Sequence, residues 1–161
     1  MRTAEHVRYL ILAAQREGNR RLLTLMAQIG LTPAQSEALR IISDHGPLAL
    51  KELGDMLVCD SGASPSRIVD RLVTAGLVRR EMSEEDRRQI RLTVSPEGEA
   101  RAAQVRGIED RLYDTIDGAL SPADTDALVR VLRALTWGSP AGAALDKRLA
   151  AEEQPAAGSD G

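Results

Sequence analysis

Apolar residues recur at three- and four-residue steps along most of this chain, and only one short stretch breaks that rhythm. Over 3–29, Val7, Leu10, Ile11, Ala14, Leu22, Leu25, Met26 and Ile29 predict an amphipathic helix, loosened near Gly18 and ended by Gly30. A second helix starts at once, because Thr32 can cap it, Pro33 suits its first position and Gln35 completes a capping box. Ala38, Leu39, Ile41 and Ile42 form its buried stripe, and Gly46-Pro47 stops it. Leu48 to Leu50 reads as a strand stub, followed by a third helix with Leu53, Met56 and Leu57 inward. Ala49 offers no side-chain oxygen as a cap, so this helix is expected to start through packing.

After the turn Cys59 to Ala63, Ser64-Pro65 opens a fourth helix that reaches Ala75. At about 100° per residue, Pro65, Ile68, Val69, Leu72 and Ala75 share one side, while Ser64, Arg67, Asp70, Arg71 and Thr74 share the other. Gly76 ends it. The period then changes to two: Leu77 to Met82 and Gln89 to Val94 predict paired strands, with Ile90, Leu92 and Val94 inward and Gln89, Arg91 and Thr93 outward. Ser83 to Arg88 is the connecting loop, tipped by Asp86, Arg87 and Arg88.

Ser95-Pro96-Glu97 returns the chain to helix as far as about Asp117, with Val105, Ile108, Leu112 and Ile116 in a stripe too narrow to be left without another helix over it. Ser121-Pro122 starts a further helix whose apolar side is Leu128, Val131, Leu132 and Leu135. Beyond Trp137 the sequence thins to Gly, Pro, Ala and charge. A short helix at 141–151 is compatible with it, and residues 149–161 are expected to be a disordered tail.

Composition narrows the chemistry. The chain has 161 residues, 43% of them hydrophobic and 28% charged, which suits one domain with a real core and no membrane span. Cys59 is the only cysteine, which rules out an internal disulfide and a cysteine zinc set and fits a cytoplasmic protein. His6 and His45 lack ligand spacing, so no metal is expected. No nucleophile–base pair or phosphate-binding glycine loop occurs, so neither an enzyme nor a cofactor is expected. The net charge of −3 excludes nonspecific coating of nucleic acid, and the near absence of aromatics (Tyr9, Tyr113, Trp137) disfavours stacking on single strands. Placed charge remains: between Ser64 and Arg91 stand seven arginines against five acids.

The segments LTPAQSEALRII, LKELGDML, SPSRIVDRLVTAGLVRR and EDRRQIRLTVSPEGEA, in that order, make the chain resemble the MarR family of bacterial transcription regulators over roughly residues 5 to 137. The most specific marks are RLVTAGLV, Asp86-Arg87-Arg88 with Leu92-Thr93 four residues on, and Gly98. The resemblance implies a mainly α, winged helix-turn-helix head (31–95) with a two-stranded wing, and an obligate dimer joined through the helices at 3–29 and 96–137, all within one domain over 1–148. It implies a cytoplasmic homodimeric repressor, bound to a pseudo-palindromic site in double-stranded DNA and relieved by a small anionic or aromatic ligand. Arg67 suits guanine in the major groove, Ser64 and Ser66 suit bases or phosphates, Arg71 is a weaker candidate, and Arg87 and Arg88 suit a narrow minor groove. His6, Tyr9, Arg16 and Tyr113 are the effector candidates, with Arg16 placed to meet a carboxylate. Two features depart from the family: the turn from Val58 to Ala63 is one residue longer, and Pro65 replaces a β-branched residue.

Plainer readings stand beside these. Arg67 and Arg71 can be solvated surface, Arg71 can pair locally with Asp70, and the effector candidates can be dimer packing. Cys59 is expected to be a neutral thiol rather than a redox sensor. The other function class is a winged-helix module that binds protein without reading DNA.

Overall fold

A computed structural model of the chain describes residues 2–59, 62–83 and 89–153. The elements run α1 (Thr3–Ala27), α2 (Pro33–His45), α3 (Leu50–Met56), α4 (Pro65–Thr74), β1 (Val78–Met82), β2 (Ile90–Val94), α5 (Pro96–Asp117), α6 (Pro122–Thr136) and α7 (Pro140–Glu152). The start signals act as their residue types dictate. The Thr32 hydroxyl accepts the Gln35 N–H and the Gln35 side chain accepts the Thr32 N–H, while Ser64, Ser95, Ser121 and Ser139 each cap a helix that has proline in its first turn. α3 differs from expectation: the Glu52 carboxylate reaches back to the Ala49 N–H at 2.6 Å, so half of a capping box forms from the far end. α1 is also unbroken through Gly18, since one glycine costs a helix only about 1 kcal/mol.

β1 and β2 pair antiparallel, with Val78 opposite Val94 and Met82 opposite Ile90. Leu48 adds the expected stub by bridging to Leu92. Around this hairpin, α2, α3, α4 and the first half of α5 enclose one core built on Leu39, Ile42, Leu53, Leu72, Leu77, Leu92 and Val105, with Met26 from the end of α1. Two inward assignments fail: Ile90 is 57% exposed because β2 has run past the core there, and Ala75 is exposed because α4 ends at Thr74.

Gly98 is where α5 meets the hairpin. A Cβ on it would lie 1.9 Å from the Leu77 carbonyl oxygen, so only glycine permits this approach. Ser95 locks the junction: its hydroxyl donates to the Gly76 carbonyl at 2.6 Å and accepts the Gly98 N–H at 2.9 Å, and its own N–H donates to the Leu77 carbonyl at 3.0 Å.

α5 is tied to the head by charge as well as by apolar packing. Arg40 of α2 bonds Glu109 and Asp44, and Arg106 of α5 bonds Ser43, Asp44 and Glu99. Arg101 of α5 donates to the Ile29 carbonyl at the end of α1. Burial works against ionisation of Asp44, but Arg106 and Arg40 outweigh it and hold its carboxyl below the usual range. The first half of α1 and all of α6 are the opposite case. Leu10 is 57% exposed and Leu135 61%, and no residue of α6 is buried.

α7 extends past the expected boundary. Residues 149–152 are helical, so the tail expected from 149 does not begin there; 154–161 lie outside the described residues. The reversal after α6 is built locally. Gly138 takes a left-handed φ of 71°, and the Ser139 hydroxyl donates to the Thr136 carbonyl and accepts the Gly142 N–H. A Cβ on Gly142 would lie 2.3 Å from the Thr136 oxygen. The turn lays α7 back on α3, where Ala144 is buried and Lys147 pairs with Asp55 at 2.6 Å.

Candidate nucleic-acid interface

α3 and α4 form the helix-turn-helix, and glycine sets how close they come. A Cβ on Gly54 would lie 3.2 Å from Cγ of Pro65, so a larger residue at 54 would push the start of α4 away. The turn between them is held from below by Glu37 of α2. Its carboxylate, in a residue only 7% exposed, accepts the Val58 N–H at 3.0 Å and the Cys59 N–H at 2.8 Å. A third partner comes from α7, as Arg148 reaches the same carboxylate at 3.2 Å. Glu37 thus satisfies two backbone donors of the turn that follows α3.

Along α4, burial divides the faces as the periodicity predicts. Ile68, Val69 and Leu72 are buried, and Ser64, Ser66, Arg67, Asp70 and Arg71 are exposed. The Ser64 hydroxyl is engaged by the Arg67 N–H at 3.4 Å, which makes it a cap first. Asp70 does not pair with Arg71. Arg80 of β1 takes it at 2.5 Å, linking α4 to the wing and leaving both Arg67 and Arg71 without an ion pair among the described residues. Arg91 of β2 is bound to Glu52 at 2.7 Å, which pins the other wing strand to α3. Arg87 and Arg88 lie outside the described residues, as does Asp86.

A cleft of about 760 Å³ opens between the second half of α1, the start of α2, the turn after α3 and α4, with Arg67 and Arg71 on its wall beside Gln15, Asn19 and Cys59. His6, Tyr9 and Arg16 are exposed on α1 and Tyr113 on α5, and none of the four lines this cleft or the smaller one between α1 and α5. Tyr9 instead stacks against Arg8, 5.1 Å from guanidinium to ring centre. Burial, with the Glu109 carboxylate nearby, raises the Tyr113 hydroxyl above its ordinary value. Burial, followed by the charge of Glu37, pushes the Cys59 thiol up to about 12, the state expected of a neutral thiol.

Sequence reasoning passed over three residues that matter to this geometry. Arg80 is one of the seven arginines between Ser64 and Arg91 with no role assigned from sequence, and Glu37 and Arg148 have none either. Glu37 leaves a faint trace, an acid inside the apolar stripe of α2. Arg148 leaves none, because its partner lies 111 positions away.

Residues 31–90 match the model of the MarR family. Over 98 residues the chain is 29% identical to the organic hydroperoxide resistance transcriptional regulator of Bacillus subtilis, an alignment that takes in 61% of this chain and 66% of that protein, just under two thirds of its length. Among solved structures, the fold is similar to that of Bordetella bronchiseptica BpsR, in work on regulation of its DNA binding by 6-hydroxynicotinic acid (TM-score 0.73, 22% identity, 86% of this chain and 99% of that one). It is also similar to that of a mutant E. coli MarR complexed with operator DNA (TM-score 0.68, 24% identity, 79% of this chain and 91% of that one). At such identities the structural likeness speaks for the fold.

Proposed function

We propose that the chain, whose residues 31–90 match the MarR family model, is a homodimeric, sequence-specific regulator of transcription that binds double-stranded DNA as a repressor and is released by a small anionic or aromatic ligand. Members of the family are transcription regulators, so the chain works by binding and not by catalysis. Among the described residues no helix is long and apolar enough to cross a membrane, and the proposed place of action is the cytoplasm.

The observation that carries the reading is the outer face of α4. A two-turn surface of short polar side chains, with Arg67 and Arg71 in no ion pair among the described residues while Asp70 is taken by Arg80, has the width and chemistry to enter a major groove. Arg87 and Arg88 are proposed to contact the adjacent minor groove from the wing. The exposed apolar faces of α1 and α6 are the proposed dimer surface, where Leu10, Val131 and Leu135 would be covered by the second copy. His6, Tyr9, Arg16 and Tyr113 are retained as proposed effector contacts, now in a pocket that this second copy would have to complete.

Selecting bound duplexes from a random pool tests the core of the proposal. Two half-sites about 34 to 36 Å apart are expected. Arg67→Ala is expected to weaken binding by about 1 to 3 kcal/mol and relax the preference at one base position, whereas Arg87→Ala with Arg88→Ala lowers affinity and flattens the salt dependence. Recovery of no common sequence, with an unchanged salt slope in all variants, would overturn the proposal.

A further inference from the structure

We infer that α7 is part of the DNA-reading machinery: Arg148, acting through the buried carboxylate of Glu37, is a positioning residue for the turn that delivers α4. This rests on the proposal that α4 reads DNA. The chain of contacts is short and continuous. Val58 and Cys59 follow α3 directly, and their N–H groups both end on Glu37. A carboxylate enclosed to that degree needs positive charge beside it, since two neutral N–H donors offset only part of what it loses on leaving water. Arg148 supplies that charge at 3.2 Å, and its own side chain is only 22% exposed, so solvent screens the pair weakly. Glu152, one turn on, lies 3.8 Å from the same guanidinium and holds it from the other side.

The placement of Arg148 depends on features that serve no purpose within α7 itself. Gly138 turns the backbone, Gly142 tolerates the Thr136 carbonyl, Ala144 seats against the head, and Lys147 pairs with Asp55 on α3. Together these return a helix that could have run on from α6 to the underside of the helix-turn-helix. A contact from outside the head restricts the backbone that leads from α3 toward α4.

The experiment compares the wild-type chain with Arg148→Ala, Arg148→Lys and Glu37→Gln, using a duplex recovered from the random pool by the wild type, with hydrogen exchange read at individual amides. Arg148→Ala is expected to bind about tenfold more weakly, the change that follows from losing one charged hydrogen bond's contribution to the ordered turn. Exchange at the Val58 and Cys59 amides should accelerate by a similar factor, while that at Ile41 and Ile42 stays as in the wild type. Arg148→Lys should recover most of both effects, because a single N–H contact to a carboxylate does not need the guanidinium fork. Glu37→Gln should reproduce the loss. The inference is overturned if Arg148→Ala binds as the wild type does, or if exchange at Ile41 and Ile42 accelerates over wild type as much as that at Val58 and Cys59, which would make the defect general instability. If the wild type itself retains no duplex, the DNA-reading proposal fails and takes the positioning role with it, while the amide rates still report whether Arg148 holds the turn.

Discussion

Replacing Gly98 by alanine should destabilise the fold more than any other single added methyl group in the described glycines outside the α6–α7 turn. The new Cβ would stand 1.9 Å from the Leu77 carbonyl oxygen and 2.9 Å from Cγ2 of Val94. An unstrained carbon–oxygen contact lies at about 3.3 Å, so the oxygen or α5 must move by more than about 1 Å. Neither is free to do so. The Leu77 carbonyl accepts the Ser95 N–H, and Ser95 in turn holds Gly76 and Gly98. Overpacking of this kind costs about 1 to 3 kcal/mol, and a buried backbone bond lost in the adjustment costs about 1 to 3 kcal/mol more. Against that stands the gain in helix propensity from glycine to alanine, at most about 1 kcal/mol. The net effect is a loss of about 2 to 4 kcal/mol. For a chain of this size each kcal/mol moves the midpoint by about 2 to 4 °C, so Tm should fall by roughly 5 to 15 °C. Thermal unfolding followed by circular dichroism reads this directly, with subunit concentrations matched because association shifts Tm by mass action. A midpoint within about 2 °C of wild type would show that the junction relaxes freely and that the rigidity argued for it is wrong.

Two further outcomes follow from charge. Arg40→Ala leaves Glu109, whose carboxyl burial already pushes up, without its main partner; the expected loss is about 2 to 4 kcal/mol in urea unfolding at pH 7, somewhat below the range for fully buried pairs because both side chains keep some exposure. A carboxyl with a raised folded pKa loses stability as pH rises, so the gap between variant and wild type should narrow toward pH 4, and a constant gap across that range would refute the assignment. Cys59, with its thiol at about 12, should alkylate in the folded protein far more slowly than an ordinary thiol of pKa about 8.5, and speed up about tenfold per pH unit between 7 and 10. The sign is the same: its contribution to stability is present below the unfolded value and is lost as pH rises through the folded one. Rapid labelling at pH 7.5 without unfolding would contradict it.

How far the sequence could be read depends on the range of the forces involved. Capping is local chemistry over three residues, which is why Thr32, Ser64, Ser95 and Ser121 marked their helices correctly. The period of two in the hairpin and the face of α4 with Ile68, Val69 and Leu72 were equally legible, since one buried side dictates each pattern. Misreadings arose where an element outran the core, as at Ile90, or where context replaced a local signal, as when Glu52 capped α3 backwards. The helix at 141–151 was legible, but its docking was not: a composition of alanines and charges resembles a tail, and the contacts that seat it, Ala144, Lys147 with Asp55 and Arg148 with Glu37, are with residues far away in sequence. Of the interface, the type and face of Arg67 and Arg71 were visible, but the partner of Asp70 was not, because strand register decides that Arg80 reaches it.

The two kinds of surface on α5 and its neighbours constrain how a change at the proposed dimer helices would reach the proposed DNA-reading face. Between α2 and α5 the charges are partnered and largely enclosed: Arg40 with Glu109, Arg106 with Asp44 and Ser43. Opening that seam would break the directed charge-assisted hydrogen bonds of Arg40 and Arg106, of which the Arg40–Glu109 pair is the more enclosed, at about 1.5 to 3 kcal/mol for an enclosed one. On α6 and the first half of α1 the exposed groups are apolar and undirected, and such packing can slide with little change in energy. Two heads that change their spacing should therefore each move as one body with their own α5, with the adjustment taken up among α1, α6 and their counterparts in the second copy. Spin labels on Lys51 and Asp110 of one protomer should keep their separation when ligand is added, while labels on Lys51 of the two protomers should not. A change in the first distance as large as in the second would place the hinge inside the α2–α5 seam and refute this division.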